Sequence, residues 1–227
     1  MRKIDGCMIL GAKDEPEELQ ALRQLKAEGH PFCLINQHFE GEGFFEVDAD
    51  HEEGSWQAVK HLVQRGYRRI AFMNGPTEYS NSRDRLKGYE RALKEEGLLL
   101  EPSIQFMGNF SRRSGIQAAA QMAPVLDRID AIFAANDRMA IGLQQGFREQ
   151  GIPASHIPAI VGYDDSDAAE LTMPALSSVR VPFYQLGEMA ASHVLRMMEN
   201  EAAGLSLPEV SSIKLPTELV VRASSCP

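Results

Sequence analysis

Three apolar runs in the chain end abruptly on amides or carboxylates: Ile70-Ala71-Phe72-Met73-Asn74-Gly75, Ala131-Ile132-Phe133-Ala134-Ala135-Asn136-Asp137 and Ala159-Ile160-Val161-Gly162-Tyr163-Asp164-Asp165. Runs of this length between helical patterns predict buried parallel strands, and in an open α/β sheet ligands bind just beyond the carboxyl ends of such strands. Ahead of them, residues 4–10 predict a strand, residues 15–28 an amphipathic helix with Leu19, Leu22 and Leu25 on one side, and residues 31–36 a second strand. A loop with Gly41-Glu42-Gly43 and a short extended stretch at 44–47 lead to a helix at 53–64, where Trp56, Val59, Leu62 and Val63 fall at helical spacing and Gly66 closes the element.

The alternation continues as strand 69–73, helix 82–96, strand 104–106, helix 111–126, strand 131–135, helix 137–150 and strand 159–163. Strict alternation implies an α/β fold of doubly wound parallel sheets with right-handed crossovers. After Gly162 the character changes: 179–182 is short and extended, 185–200 is a helix with Leu186, Met189, Ala190, Val194 and Met197 as its apolar face, and 219–222 is a terminal strand. An early strand-helix-strand unit, a longer series and a late lone helix indicate two lobes joined by more than one crossing, which is the arrangement of a hinge.

Composition narrows the class. With 227 residues, 44% of them hydrophobic and 24% charged, the chain is globular rather than disordered. A net charge of -9 opposes phosphate-dominated nucleic-acid binding by these residues, which needs a basic face. Cys7, Cys33 and Cys226 form no CxxC pair, so neither a disulfide framework nor a zinc site is indicated, and a reducing compartment is expected. No apolar run approaches a membrane span, and the first residues lack the apolar core of a secretory signal, so a cytoplasmic location is expected. The histidines His30, His38, His51, His61, His156 and His193 fall in no HxxH or HExxH spacing. No GxSxG, GxGxxG or Walker A string is present, since Gly41-Glu42-Gly43 runs on to Glu46 where a glycine is needed. No enzyme activity, cofactor or metal is expected. Asp164, Asp165 and Asp167 are close carboxylates whose expected role is to solvate a loop.

The strings His61-Leu62…Gly66-Tyr67-Arg68-Arg69-Ile70-Ala71, Arg85-Leu86-Lys87-Gly88-Tyr89, Ala134-Ala135-Asn136-Asp137-Arg138-Met139-Ala140-Ile141-Gly142, Val161-Gly162-Tyr163-Asp164-Asp165, Pro174-Ala175-Leu176-Ser177-Ser178-Val179 and Leu215-Pro216-Thr217-Glu218-Leu219-Val220-Val221-Arg222 occur in this order. In order and spacing they resemble the effector-binding domain of the lactose-repressor (LacI/GalR) family of bacterial transcription regulators, over essentially the whole chain. The resemblance implies a two-lobed, periplasmic-binding-protein-like fold and a sugar, sugar derivative or nucleobase as effector. It also implies a homodimer and operator DNA contacted through a helix-turn-helix headpiece. The alternative is a solute-binding protein of a sugar transporter, which the final string and the lack of a signal peptide disfavour. The lobes are expected at 1–49 plus 180–212 and at 50–179 plus 213–223. Relative to the family, the chain starts at what resembles the third strand of the first lobe, so it reads as N-terminally truncated, without a headpiece. That leaves a normally central strand at an exposed edge.

Candidate effector contacts carry over position by position. Arg85 matches a family arginine at a strand mouth, where a planar guanidinium grips vicinal hydroxyls or a carboxylate; otherwise it is a surface arginine in a first helical turn. Asn136 and Asp137 both suit a helix N-cap, and the resemblance gives Asn136 to the effector, leaving Asp137 as the cap. Asp164 resembles the family's effector-binding aspartate, able to accept two hydroxyls, against an Asx-turn reading. Phe110 matches an aromatic that lines the pocket, or it is a hydrophobic staple at a helix entry. Asn36 and Phe183 match a first-lobe contact and a pocket wall.

Overall fold

The computed structural model describes residues 4–205 and 212–226. In chain order its elements are β1 (Cys7–Leu10), α1 (Pro16–Ala27), β2 (Phe32–Ile35), β3 (Glu46–Ala49), α2 (His51–Gln64), β4 (Ile70–Asn74), α3 (Ser80–Glu95), β5 (Gln105–Met107) and α4 (Arg112–Met122). They continue as β6 (Ala131–Ala134), α5 (Asp137–Glu149), β7 (Ala159–Asp164), α6 (Asp167–Leu171), β8 (Ser177–Arg180), α7 (Phe183–Ala202), β9 (Ile213–Leu215) and β10 (Glu218–Val220). The α/β class with parallel sheets is thus observed. Two compact units emerge: unit 1 comprises Met1–Asp50, Thr77–Asn81 and Pro182–Pro216, and unit 2 His51–Pro76, Ser82–Val181 and Thr217–Pro227. Of the expected first lobe, residues 1–3 and 206–211 lie outside the described residues.

Unit 1 holds a four-stranded parallel sheet in the order β1-β2-β3-β9. Leu19, Leu22 and Leu25 of α1 join Cys7, Ile9, Phe32, Leu34, Phe39 and Phe44 in one apolar cluster, where burial of each large side chain contributes about 1.5–3 kcal/mol. Helix α7 packs along β1, β2 and β3, with Leu186, Ala190 and Val194 buried. Two expectations shift here. The extended stretch predicted at 44–47 is a strand at Glu46–Ala49, all four residues buried, because Phe44 is drawn into the cluster while Glu46 and Asp48 face protein donors. Residues 213–215, expected in the second lobe, pair with β3 and belong to unit 1, a placement that three residues without periodicity do not announce.

Unit 2 holds a six-stranded sheet in the order β10-β8-β7-β6-β4-β5, parallel except for the edge strand β10. Phe72 lies stacked between Tyr89 and Phe133, with centroids 4.8 and 5.2 Å away, and the Tyr89 hydroxyl donates to the Ile70 carbonyl at 2.8 Å. The helix predicted over 111–126 stops at Met122, where Pro124 allows only a 3-10 turn over Ala123–Arg128. The three apolar runs that end on amides or carboxylates are β4, β6 and β7, side by side in the middle of the sheet, so their carboxyl ends form one edge. Among the described residues no helix is long and apolar enough to cross a membrane.

β1 is an edge strand on which Met8 and Leu10 are 51% and 67% exposed while Cys7 and Ile9 turn inward. Among the described residues no strand pairs with the outer side of β1; an apolar edge of this kind favours association, and a lysine there opposes it. The double substitution Met8→Lys/Leu10→Lys is therefore expected to raise the monodisperse soluble fraction without lowering Tm. Light scattering and a melting curve check this, and unchanged aggregation would count against it.

Candidate functional site

The candidate site is built at the carboxyl edge of the unit 2 sheet. Helix α3 returns over that edge and delivers Arg85, which is only 2% exposed, so the surface-arginine reading is excluded. Its Nη1 donates to the Ala135 carbonyl beyond β6 at 2.8 Å, and its Nη2 lies 3.4 Å from His51 Nδ1. The guanidinium carbon sits 4.1 Å from the centroid of the Tyr163 ring. A cation so desolvated requires compensation, and the carbonyl, the ring face and the carboxylate of Asp164, 3.8 Å from Nη2, supply it. Arg85 Nε is buried with no hydrogen-bond partner among the described residues.

Asp164 ends β7 with φ of 102°, a conformation that L side chains rarely adopt. Its side chain keeps 27% of its surface open, and the long ion pair to Arg85 leaves its oxygens as available acceptors. Burial pushes the Asp164 carboxyl up to about 7, opposed by Arg85 and reinforced by Asp137. Among the described residues the non-glycine positive-φ positions are Asn36, Phe110, Asp164 and Asp165. Three of those four are residues singled out from the sequence, and such backbone strain concentrates at binding sites.

The cap expected of Asp137 falls on Asn136 instead. Asn136 is the N-cap of α5: its Oδ1 accepts from Met139 N at 2.9 Å, while its Nδ2 donates to the Phe110 carbonyl at 3.1 Å. Asp137 is the first helical residue, and its buried carboxylate points into the sheet edge, accepting from Ser166 N at 2.7 Å, Ser166 Oγ at 2.9 Å and Ser178 Oγ at 2.5 Å. Burial raises its pKa, against these three hydrogen bonds. Gly162 makes room for it, since a Cβ there meets Asp137 Oδ1 at 2.3 Å. Asp165 does not merely solvate a loop: it pairs with Arg180 Nε at 2.8 Å and with Arg222 Nη1 at 2.7 Å, and its side chain is 5% exposed.

Phe110 follows β5 with φ of 63°, just before the N-cap Ser111 of α4. Its ring lies over Gly75 at the end of β4, where a Cβ is 2.1 Å from the ring tip, so the aromatic spans the mouth between β4 and β5. Arg85, Asn136, Asp164 and Phe110 are thus gathered at one sheet edge. The other two residues lie in unit 1. Asn36 follows β2 with φ of 59° and donates its backbone N–H to the Val47 carbonyl at 2.9 Å, and Phe183 opens α7, 45% exposed.

Sequence reasoning missed His51 and Tyr163, the seat of Arg85. Tyr163 is fully buried, its hydroxyl 3.2 Å from His51 Nδ1, and burial pushes the phenol above its ordinary range. Its place just before Asp164 was a usable signal; His51 precedes the predicted start of its helix and carried none.

Comparison with known proteins agrees with the fold. The profile of the family described as "Periplasmic binding protein-like domain" matches residues 59–225. The chain belongs to that family. Within it, the relatives are transcription regulators of the LacI type, and the fold is that of their effector-binding domains. The chain is 29% identical over 197 residues to the HTH-type transcriptional regulator AscG of Escherichia coli (strain K12), covering 87% of this chain and 58% of AscG. A structure titled as a complex of the transcriptional regulator CelR with cellobiose has a TM-score of 0.87 and 29% identity, covering 98% of this chain and 66% of that one. A LacI family regulator from Enterococcus faecium with bound ribose has a TM-score of 0.82 and 27% identity, covering 98% and 80%. The chain spans 58 to 65% of the length of the first curated relatives it matches.

The raised pKa of Asp164 fixes a pH dependence. The folded state holds its proton up to about pH 7, whereas the unfolded carboxyl releases it near pH 4. Between these values the folded state binds more protons, so the stability that this group contributes falls as pH rises through the window. In Asp164→Asn that term is gone, and the variant's Tm minus that of the wild type is expected to become more positive from pH 5 to pH 8. A difference independent of pH, read by calorimetry, would refute the assignment.

Proposed function

We propose that the chain is the small-molecule sensing domain of a LacI-type transcription regulator, with a sugar or nucleoside-like effector. On this reading operator DNA is read by a helix-turn-helix segment outside these residues. The observation that carries the reading is the pair at the sheet edge: a buried, preoriented guanidinium, Arg85, beside a carboxylate, Asp164, whose oxygens remain available. Donor and acceptor side by side suit vicinal hydroxyls, each of which both donates and accepts. Phe110 supplies an aromatic face for a pyranose or base, and the Asn136 amide, although it caps α5, retains a hydrogen and a lone pair. Asn36 and Phe183 enter as individual contacts from the family pattern. Relatives whose structures carry cellobiose or ribose support a sugar over an acid. On this reading the chain catalyses no reaction, in line with relatives that are regulators. A transporter component is not favoured, for the same reason, and a cytoplasmic location follows from the regulatory role.

An effector that contacts one conformation more than another shifts the equilibrium between them, and its coupling to DNA affinity is reciprocal. In a thermal-shift screen of mono- and disaccharides and nucleosides, a true effector at about 100 times its Kd adds roughly 2.7 kcal/mol, a Tm rise of roughly 5–10 °C. Arg85→Ala and Asp164→Ala are each expected to abolish that rise; a rise that persists in both would dismiss the site.

We also propose a homodimer, with unit 2 contributing its exposed apolar pair Leu171 and Met173, 81% and 83% exposed at the end of α6. Sedimentation is expected to show a dimer at micromolar concentration and a monomer for Leu171→Glu/Met173→Glu. A monomeric wild type would overturn this.

A further inference from the structure

Unit 2 contains a second concavity, at the opposite end of its sheet from Arg85 and Asp164. A cavity of about 510 Å³ lies at the amino ends of β6 and β7, closed by the last turns of α5, the 3-10 turn Ala154–His156, Met173-Pro174 and the segment Ala223–Cys226. Tyr67, Ile129, Ile157, Ile160, Met173 and Pro174 give it an apolar wall. A volume of this size, with an apolar wall interrupted by Asp130, Gln144, Arg148, Ser155, His156 and Ser224, is that of a small-molecule site.

Its polar groups are unequal. Asp130 is saturated: Arg68 N, Arg69 N and the Arg69 guanidinium all donate to it, the last at 2.6 Å, and they hold its carboxyl below the usual range. Arg148 is different. Its Nε donates to the Gln144 carbonyl and its Nη1 to the Met173 carbonyl, both at 3.0 Å, so the guanidinium is pinned on the cavity rim by two neutral acceptors. Among the described residues no carboxylate pairs with it. Beneath it Gln144, 3% exposed, donates through Nε2 to the Pro174 carbonyl at 3.3 Å, and its Oε1 has no donor among the described residues. A helix C-terminus favours an arginine. That preference does not account for a guanidinium fixed by two neutral acceptors over a cavity with an unmatched amide in its wall.

We propose that this cavity is a second small-molecule site, which takes a compact amphipathic monocarboxylate. The apolar body rests against Tyr67, Ile129, Ile157 and Pro174, and the carboxylate binds the remaining guanidinium hydrogens of Arg148. The site shares no residue with the proposed effector site, so a ligand here would act as a second input.

The test is calorimetric titration of the full chain with 3-phenylpropanoate and 4-methylpentanoate, and with 3-phenylpropanamide as the uncharged counterpart. Saturable binding of at least one carboxylate with Kd below about 1 mM is expected, weakened at least about tenfold in the amide and in Arg148→Gln. Ala154→Trp, at the exposed rim, is expected to block binding with Tm unchanged, and Arg85→Ala to leave binding intact. The proposal fails if neither carboxylate binds saturably, if the amide binds equally well, or if Arg85→Ala removes binding that Arg148→Gln retains.

Discussion

The buried guanidinium of Arg85 is the constraint around which the carboxyl edge of the unit 2 sheet is arranged. A permanent cation at 2% exposure is tolerated only where acceptors and negative density are already in place. The Ala135 carbonyl, the Tyr163 ring, His51 Nδ1 and Asp164 provide these from β6, β7 and α2. Tyr163 in turn is held by His51, and Gly54 leaves space for its hydroxyl, since a Cβ there meets it at 2.6 Å. The cation therefore fixes the approach of three elements as well as the polarity of the mouth, and its own hydrogen bonds keep it in one orientation.

A second layer of buried charge supports the first. Asp137 ties the start of α5 to Ser166 and Ser178, and Asp165 ties the end of β7 to Arg180 and Arg222. Asp137 is met by hydroxyl and backbone donors and Asp165 by two guanidinium groups, all from segments distant in sequence, so each carboxylate locks the loops after β6 and β7 against β8 and the C-terminal segment. Such networks rigidify the backbone at this edge. Asp164, between them and strained at φ of 102°, is the carboxylate left with available acceptors. Three neighbouring aspartates thus have different surroundings, which on the proposed reading gives them different duties.

Much of this was readable along the chain. The period-free apolar runs of β4, β6 and β7 are long enough to require burial on both faces, which specifies a parallel sheet and hence the edge at which a ligand is expected. Local signals failed where a residue answers to a partner rather than to its own neighbours. Glu46 and Asp48 are charged yet buried, because Phe39 N and His38 meet them from the preceding loop. Three residues at Ile213–Leu215 carry no periodicity, and their place beside β3 is set by pairing alone.

By itself the sequence determined the α/β class, the alternating elements and the polar strand ends, since spacing of apolar residues encodes which faces are buried. The tertiary structure decided which polar group does what. Asn136 and Asp137 are both good caps in isolation; only the arrival of Ser178, 41 residues away, and of Ser166 turns Asp137 inward and leaves the cap to Asn136. Along the chain Arg85 is favoured as a strand-mouth arginine over a surface one, and only the Ala135 carbonyl and the Tyr163 ring show that it is buried. Hydrogen bonds and charge burial act over about 3 Å between segments far apart in the chain, a range that periodicity does not encode.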